Sequence, residues 1–538
     1  MNPVASHAPA TIAAAWIERT RQSPESIALI FEGERWSCAD IHRAACQAAA
    51  QFRDHGVARG DRVVLMMDNG PRFFAGFLGC QMLGLIPVPV SPKSGVRRVR
   101  YLLDDSAAAL LVIEPALSER TRSLHRSQTY AERMVTLEPR PAAEAEDWTA
   151  VEADDCALIQ YTSGSSGDSK GVMISHRAAL ENIRAFSAQM ALTPSDVFSS
   201  LLPLFHDMGL MCFGLAPLLL GHTLVLYRAE SLSLYPWLSG IRAHRVTITG
   251  APDSLLQIAN RVIEDASPYN LRGLRMLICG SEPVRRDSIQ TFALRFGVLH
   301  AIKPAYGMAE LTLCATITPA YEPVRIDAWG RVASGRCIPG VDVRIAPEPG
   351  ACGDEMNGCG EILVRSPAAM SGYWRRPQET AAAFDANGYI RTGDLGYLDA
   401  TGYLFVVGRL KNMLVRGGEK FSPHDLEAAA QDIPEIRRAA VVQSGREDAS
   451  IIAVLEVDRL LLRDHTELKR LARQYRSAAH ARAGIAPDSC WFIWGGRLPY
   501  TENGKMQHAA LRTQIDSGEF FATWSDTSEV DVHAAPVA

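Results

Sequence analysis

The stretch 161-YTSGSSGDSKGVMISH-176 sets Gly164, Gly167 and Gly171 among Thr162, Ser163, Ser165, Ser166 and Ser169, with a single cation at Lys170. Glycine lets successive backbone N–H groups converge, and hydroxyl side chains add donors, so the composition suits a polyphosphate. It is not a Walker A loop: Lys170 does not follow Gly167, and Gly171 stands where that motif needs a magnesium-binding hydroxyl. Taken alone, such Gly/Ser richness is most often a turn or linker. Context decides. A strand-like 157-ALIQYT-162 precedes the loop, and a helix-period segment, 177-RAALENIRAFSAQMA-191, follows it with His176 near its start. A Gly/Ser/Thr loop between strand and helix can hold phosphate oxygens at the helix N-terminus, which favours the phosphate grip.

The same alternation continues outward. Helix-period pieces such as 39-ADIHRAACQAAAQFRDHG-56 are interleaved with the short runs 62-RVVLMM-67, 110-LLVIE-114, 223-TLVLY-227 and 274-LRMLICG-280. That pattern predicts an α/β protein whose large N-terminal body has mostly parallel sheets covered by helices. Turn residues gather in 347-PEPGACGDEMNGCGEILVRSP-367. Then 402-GYLFVVGRLKNMLVRGGEKFSPHDLE-427 reads as two strands, a turn and a helix start, with Ser422 as N-cap and Pro423 as the first helical residue. Another strand–helix–strand set and a polar tail close the chain. We expect a body over 1–409, a small mobile α+β lid over 410–515 and a disordered tail over 516–538.

Bulk properties narrow the function. A chain of 538 residues exceeds one core, and 47% apolar with 21% charged residues describes a soluble globular protein. A net charge of −5 without a sustained basic face argues against nucleic acid as the main partner. Eleven cysteines without a CxxC pair argue against a disulfide framework or structural zinc, and predict free thiols in a reducing cytoplasm. The N-terminus lacks the basic and apolar regions of a secretion signal. The apolar stretches 77-FLGCQMLGLIPVPV-90 and 208-MGLMCFGLAPLLLG-221 are short and broken by Pro or Gly, so no membrane span is expected.

Four more stretches follow the loop in order: 203-PLFHDMGL-210, 304-PAYGMAEL-311, 389-YIRTGDLGYL-398 with 408-GRLKNMLVRGGEK-420, and 498-LPYTENGKM-506. The ordered set, across about residues 10 to 515, resembles the adenylate-forming superfamily, which includes acyl-CoA synthetases, peptide-synthetase adenylation domains, luciferases and fatty acyl-AMP ligases. The resemblance implies an ATP-dependent enzyme using Mg²⁺ that converts a carboxylic acid to acyl-AMP and pyrophosphate, then passes the acyl group to a thiol. Such chemistry must bring two anions together and neutralise the departing pyrophosphate.

On this resemblance, Thr162, Ser163, Gly164, Ser165, Ser166, Gly167 and Lys170 would hold the leaving phosphates. Glu310 would bind Mg²⁺ with Thr162, since a hard cation wants oxygen ligands. Tyr306 would stack beside adenine, with Gly307, Met308, Gly280, Ser281 and Glu282 completing the nucleotide site. Asp394 would accept the ribose hydroxyls, and Arg409 would reach ribose or phosphate. Lys411 occupies the hinge position. Lys505 would contact the carboxylate and α-phosphate, with His206 also in the catalytic set.

In amino-acid-activating relatives an Asp directly follows the aromatic of 205-FHDMGL-210; here His206 does, then Asp207. PLFHDMGL, 280-GSEPVR-285 and PAYGMAELTL look most like the fatty acyl-AMP ligase branch. The run 211-MCFGLAPLLLG-221 could wall an alkyl pocket or be plain core. A fatty or other acyl acid is therefore expected, with Asp207 keeping an amino acid open. That branch commonly carries an extra segment for which 315–347 is too short, and 417-GGEKFSP-423 resembles CoA ligases. The acceptor stays open between an acyl carrier protein and CoA. The basic run 459-RLLLRDHTELKRLARQYRSAAHAR-482 could dock an acidic carrier or be a solvated helix face. A non-catalytic descendant and a luciferase-like oxidative enzyme are the rival readings; Lys170, Glu310, Asp394, Arg409 and Lys505 oppose the first, and nothing marks the second.

Overall fold

The computed structural model describes residues 9–114, 121, 124, 127–138, 149–162, 169–229, 233–347, 358–446, 448–500, 506–520 and 522–526. Short apolar runs become the centre strands of two parallel sheets. In the larger sheet six strands run parallel in the order Ile302–Gly307, Met276–Cys279, Ile248–Ala251, Val197–Ser200, Thr223–Leu226, Ile27–Phe31. Antiparallel strands close its edges, Cys314–Ile317 with Arg336–Cys337 at one side and Glu34–Ser37 at the other. The second sheet is parallel throughout: Ile86–Val90, Arg62–Met66, Leu110–Ile113, Met134–Thr136. Val63, Val64, Leu111 and Val112 are fully buried, so adjacent residues pointing to opposite faces are both covered, as sheets wrapped by helices require.

Helices supply that cover. Cys38–Asp54 begins in a reciprocal cap: Asp40 N donates to Ser37 Oγ at 3.1 Å and Ser37 N donates to Asp40 Oδ2 at 3.0 Å. Its buried face, which includes Ile41, Ala45 and Phe52, packs on the helix Pro71–Met82.

Two local expectations change. The phosphate-loop stretch does not run straight into a helix. Cys156–Tyr161 and Gly171–Ser175 pair antiparallel, and Gly372–Tyr373 adds a third strand. Val172 and Ile174 alternate into the core with a period of two, which makes this segment a strand. The helix His176–Gln189 starts after it, with its first-turn N–H groups occupied: His176 N donates to Asp155 O at 3.2 Å, Arg177 N to Ala153 O at 2.8 Å and Ala178 N to Ser175 Oγ at 3.1 Å. Its N-terminus is therefore not the phosphate grip. Second, Met208–Leu215 forms a fully buried π-helix, a rare geometry that clusters at functional sites. Gly209 permits it; a Cβ there would sit 2.0 Å from the Pro203 carbonyl oxygen.

The body ends in an antiparallel sheet of Asp342–Pro347, Gly360–Arg365, Ile390–Leu398 and Leu404–Arg409. Residues 402–427 then form three strands, Leu404–Arg409, Leu414–Arg416 and Glu419–Phe421, where two were expected. Ser422 precedes the helix Pro423–Ala428 as N-cap, yet its hydroxyl donates to Val407 O at 2.9 Å and so ties the smaller domain to the last body strand. In that domain the sheet order is Ile436–Gln443, Ile451–Val457, Ser489–Trp494, Trp524–Ser525. Helix His465–Ala483 shares one apolar cluster with it, and His508–Asp516 shares another.

Trp524 corrects the tail expectation. It is buried, its strand pairs with Ser489–Trp494, and Arg476 clamps Asp526, so the fold reaches at least residue 526; 527–538 lie outside the described residues. Nine described cysteines are free thiols, while Cys359 is disulfide-bonded, a departure from thiols throughout. Among the described residues no helix is long and apolar enough to cross a membrane.

Candidate active site

A cavity of about 1890 Å³ lies between body and smaller domain, and thirteen of the candidate residues line it. From the body come Thr162, Lys170, His206, Gly280, Ser281, Glu282, Tyr306, Gly307, Met308 and Glu310, and from its last sheet Asp394 and Arg409; Lys411 follows at the junction. Ser163, Gly164, Ser165, Ser166, Gly167 and Lys505 lie outside the described residues. Tyr500 and Met506 pair with each other and line the same cavity.

Asp394 is buried and faces Arg409 in register across two strands. Arg409 Nε lies 2.7 Å from one carboxylate oxygen, and the Tyr306 hydroxyl donates to the other at 2.7 Å. Burial, then the charge of Asp394, holds the Tyr306 phenol far above its ordinary range, so it remains a donor. Arg409 is held up chiefly by Asp394. Sequence reasoning assigned these three residues to nucleotide contacts but gave no sign that Tyr306 and Arg409 both grip Asp394. Gly307 is explained by packing: a Cβ would lie 1.6 Å from the Leu313 carbonyl oxygen.

Glu310 is buried in a short 3₁₀ turn, and burial pushes its carboxyl up, with the Asp207 charge adding to the rise. The Tyr373 hydroxyl donates to its Oε1 at 2.9 Å. Lys170 Nζ sits 4.9 Å from the centre of that same tyrosine ring and 2.6 Å from Glu379 Oε2. Neither Tyr373 nor Glu379 was visible from sequence. They lie in 371-SGYWRRPQET-380, and only the strand pairing of Tyr373 with Val172 brings them to the loop. Among the described residues no group of three or more His, Cys, Asp or Glu could hold a metal. One carboxylate and the Thr162 hydroxyl nevertheless fit Mg²⁺, which keeps its waters and takes most of its ligands from nucleotide phosphates.

His206 Nδ1 lies 2.6 Å from Asp207 Oδ1, and that same oxygen accepts from Met208 N at 2.7 Å. Ser281 adopts φ 69°, left-handed backbone that a non-glycine residue seldom takes and that clusters at functional sites. Glu282 points to the start of the helix Asp253–Val262, where its carboxylate accepts from Ser254 N. Burial pushes its carboxyl up. Beyond His206, the apolar part of the cavity is walled by Phe186, Met208, Cys212, Leu313 and Ile317. Of 211–221 only Cys212 faces it; Met211, Phe213, Leu215 and Leu218 are core, because a fully buried π-helix spends most of its side chains on packing.

Two of the seven Arg and Lys residues in 459–482 are ion-paired. Arg470 pairs with Glu435 and Glu467, and Arg476 with Asp526. Only Arg482 of the seven reaches the cavity.

The AMP-binding enzyme model matches residues 16–374. A 2-succinylbenzoate–CoA ligase from Bacillus velezensis is 29% identical over 434 residues, covering 80% of this chain and 84% of that protein. A medium-chain-fatty-acid–[acyl-carrier-protein] ligase, JamA of Moorena producens, is 26% identical over 516 residues, covering 86% and 87%. A solved structure from work on fatty acyl-adenylate ligases of E. coli and L. pneumophila matches the fold with a TM-score of 0.84 at 24% identity, covering 95% of this chain and 98% of that one. The chain belongs to the AMP-binding enzyme family, and through it to the adenylate-forming superfamily.

Proposed function

We propose that the enzyme activates a fatty or other acyl acid with ATP, forming acyl-AMP and pyrophosphate, and transfers the acyl group to the phosphopantetheine thiol of an acyl carrier protein. The supporting observation is the convergence of Lys170, Glu310 and Asp394 on one cavity that both domains line. Asp394, paired with Arg409, accepts the ribose hydroxyls. Lys170 draws the β- and γ-phosphates. Glu310 and Thr162 would hold Mg²⁺, which would supply positive charge against the phosphate oxygens. Lys505 stabilises negative charge as the carboxylate attacks the α-phosphorus, and Lys411 serves as hinge between 1–409 and 410–515, where its exposed side chain stays solvated through a rotation.

The apolar wall favours an alkyl or aryl acid. An amino acid is less well served: Asp207, the nearest candidate for its ammonium, is engaged by His206 and Met208 N. The carrier-linked relative supports the acceptor chosen. A second reading, an acyl-CoA synthetase, is favoured by the CoA-forming relative and by the internal pairing of Arg470 and Arg476, which leaves less basic surface for an acidic carrier. Lys505→Ala should cut acid-dependent pyrophosphate release by about 10²–10³-fold, the scale of one lost transition-state contact, with ATP binding retained. Undiminished release in that variant defeats the mechanism. Thioester formation on holo-carrier protein measured against CoA decides the acceptor, and CoA turnover without carrier loading would favour the second reading.

A further inference from the structure

The cation of the phosphate loop already has an anionic partner. Lys170 Nζ lies 2.6 Å from Glu379 Oε2, and Glu379 Oε1 lies 3.8 Å from Arg376 Nε. Arg376 is anchored in turn, 2.7 Å from Asp105 Oδ1. The main chain delivers Glu379 to this place. Trp374 N donates to Gly171 O at 2.7 Å, and Tyr373 N donates to Thr380 Oγ1 at 2.9 Å, so the helix Pro377–Ala383 is bound to the strand that leaves the loop. Tyr373 stands at the centre, its ring under Lys170 and its hydroxyl on Glu310.

The exposure of this pair matters. Lys170 and Glu379 side chains are 33% and 40% exposed, so their attraction is modest and exchangeable. A buried pair would be too costly to break for a ligand that arrives and leaves in every cycle. A polyphosphate drawn to Lys170 must displace Glu379, and Glu379 must reclaim the ammonium when the polyphosphate goes.

We propose that Glu379 is an internal counter-anion that competes with the β- and γ-phosphates for Lys170 and thereby speeds the departure of pyrophosphate. The proposal rests on the reading of Lys170 as a phosphate ligand. The step is an exchange of ion pairs: no bond forms or breaks, and no proton moves. While the β-phosphate is still joined to the nucleotide, the contacts of Asp394 help to retain it. Once the α–β bond is cut, pyrophosphate loses that tether, and a competing carboxylate beside Lys170 shifts the balance toward release. Glu379 is a positioning residue that acts through Lys170.

The test compares product inhibition by pyrophosphate with binding of AMP in the full-length enzyme. Glu379→Gln keeps the shape and removes the charge; pyrophosphate inhibition should tighten by about 2- to 5-fold, the range of one exposed ion pair, while AMP affinity stays within about twofold. Glu379→Asp, which restores the charge, should bring inhibition back toward the wild-type value. Unchanged or weaker pyrophosphate inhibition in Glu379→Gln overturns the proposal, as does equal tightening of AMP and pyrophosphate. Lys170→Ala separates the two levels. Weakened pyrophosphate inhibition there, with no added effect of Glu379→Gln in the double variant, supports the exchange. Unaltered inhibition in Lys170→Ala removes the phosphate role of Lys170 itself, and the proposal falls with it.

Discussion

Asp394 shows what a buried carboxylate must settle before it can do anything else. A buried carboxylate without donors is costly, and here Tyr306 and Arg409 each supply one. Tyr306→Phe removes a donor while keeping the ring. The unmet oxygen should lower stability by about 1–3 kcal/mol, read as a fall in the urea midpoint. An unmoved midpoint would show that the bond to Tyr306 contributes nothing. At this scale the sequence was informative about residue types and poor about partners. Glu310, Asp394 and Lys170 could be singled out because their motifs stand in order. Tyr373 could not, since a tyrosine after Gly372 gains meaning only when its strand meets Val172.

Elements were legible where burial is symmetrical. The runs around 62–66, 110–113 and 223–226 form buried parallel strands because continuous apolar stretches bounded by turns have few other uses. The strand Gly171–Ser175 was missed because a five-residue run continuous with a Gly/Ser-rich loop reads as part of that loop until pairing defines it. The π-helix was missed for a related reason: a run apolar on every side carries no period to read. Gly209 is the test of that element. In Gly209→Ala the new methyl must push the helix off the loop carrying His206, because the atom it meets is the backbone oxygen of Pro203. Overpacking of this kind costs about 1–3 kcal/mol, and acid-dependent pyrophosphate release should fall with the loss of stability. Wild-type activity and melting in that variant would mean the first turn has room the geometry denies it.

For the molecule as a whole, polar links between the two domains among the described residues include the 3.0 Å pair of Arg331 with Asp425 and the Ser422 hydroxyl on Val407. Behind them Glu427 is buried, with His508 Nε2 at 2.6 Å and His424 Nδ1 at 3.9 Å. Burial alone would lower the His508 pKa, but Glu427 outweighs it and holds the value above 6.5. Burial likewise opposes ionisation of Glu427, yet the two histidines hold its carboxyl below 4.5. The histidine's contribution is therefore complete below pH 6.5 and lost as pH rises through its higher folded value. The carboxylate's is present above pH 4.5 and lost as pH falls through its depressed one. Stability of the smaller domain should decline as pH rises above 6.5, and His508→Asn should flatten that slope at a cost of about 3–5 kcal/mol. Urea midpoints at several pH values check this, and a flat wild-type profile would contradict it. The strand Trp524–Ser525 carries a practical corollary. A polypeptide trimmed at residue 515 would leave the backbone of Trp491 and Phe492 as a raw edge, ready to recruit a second molecule into the sheet. Shortening the carboxyl end past Trp524 would therefore leave that edge open to clumping.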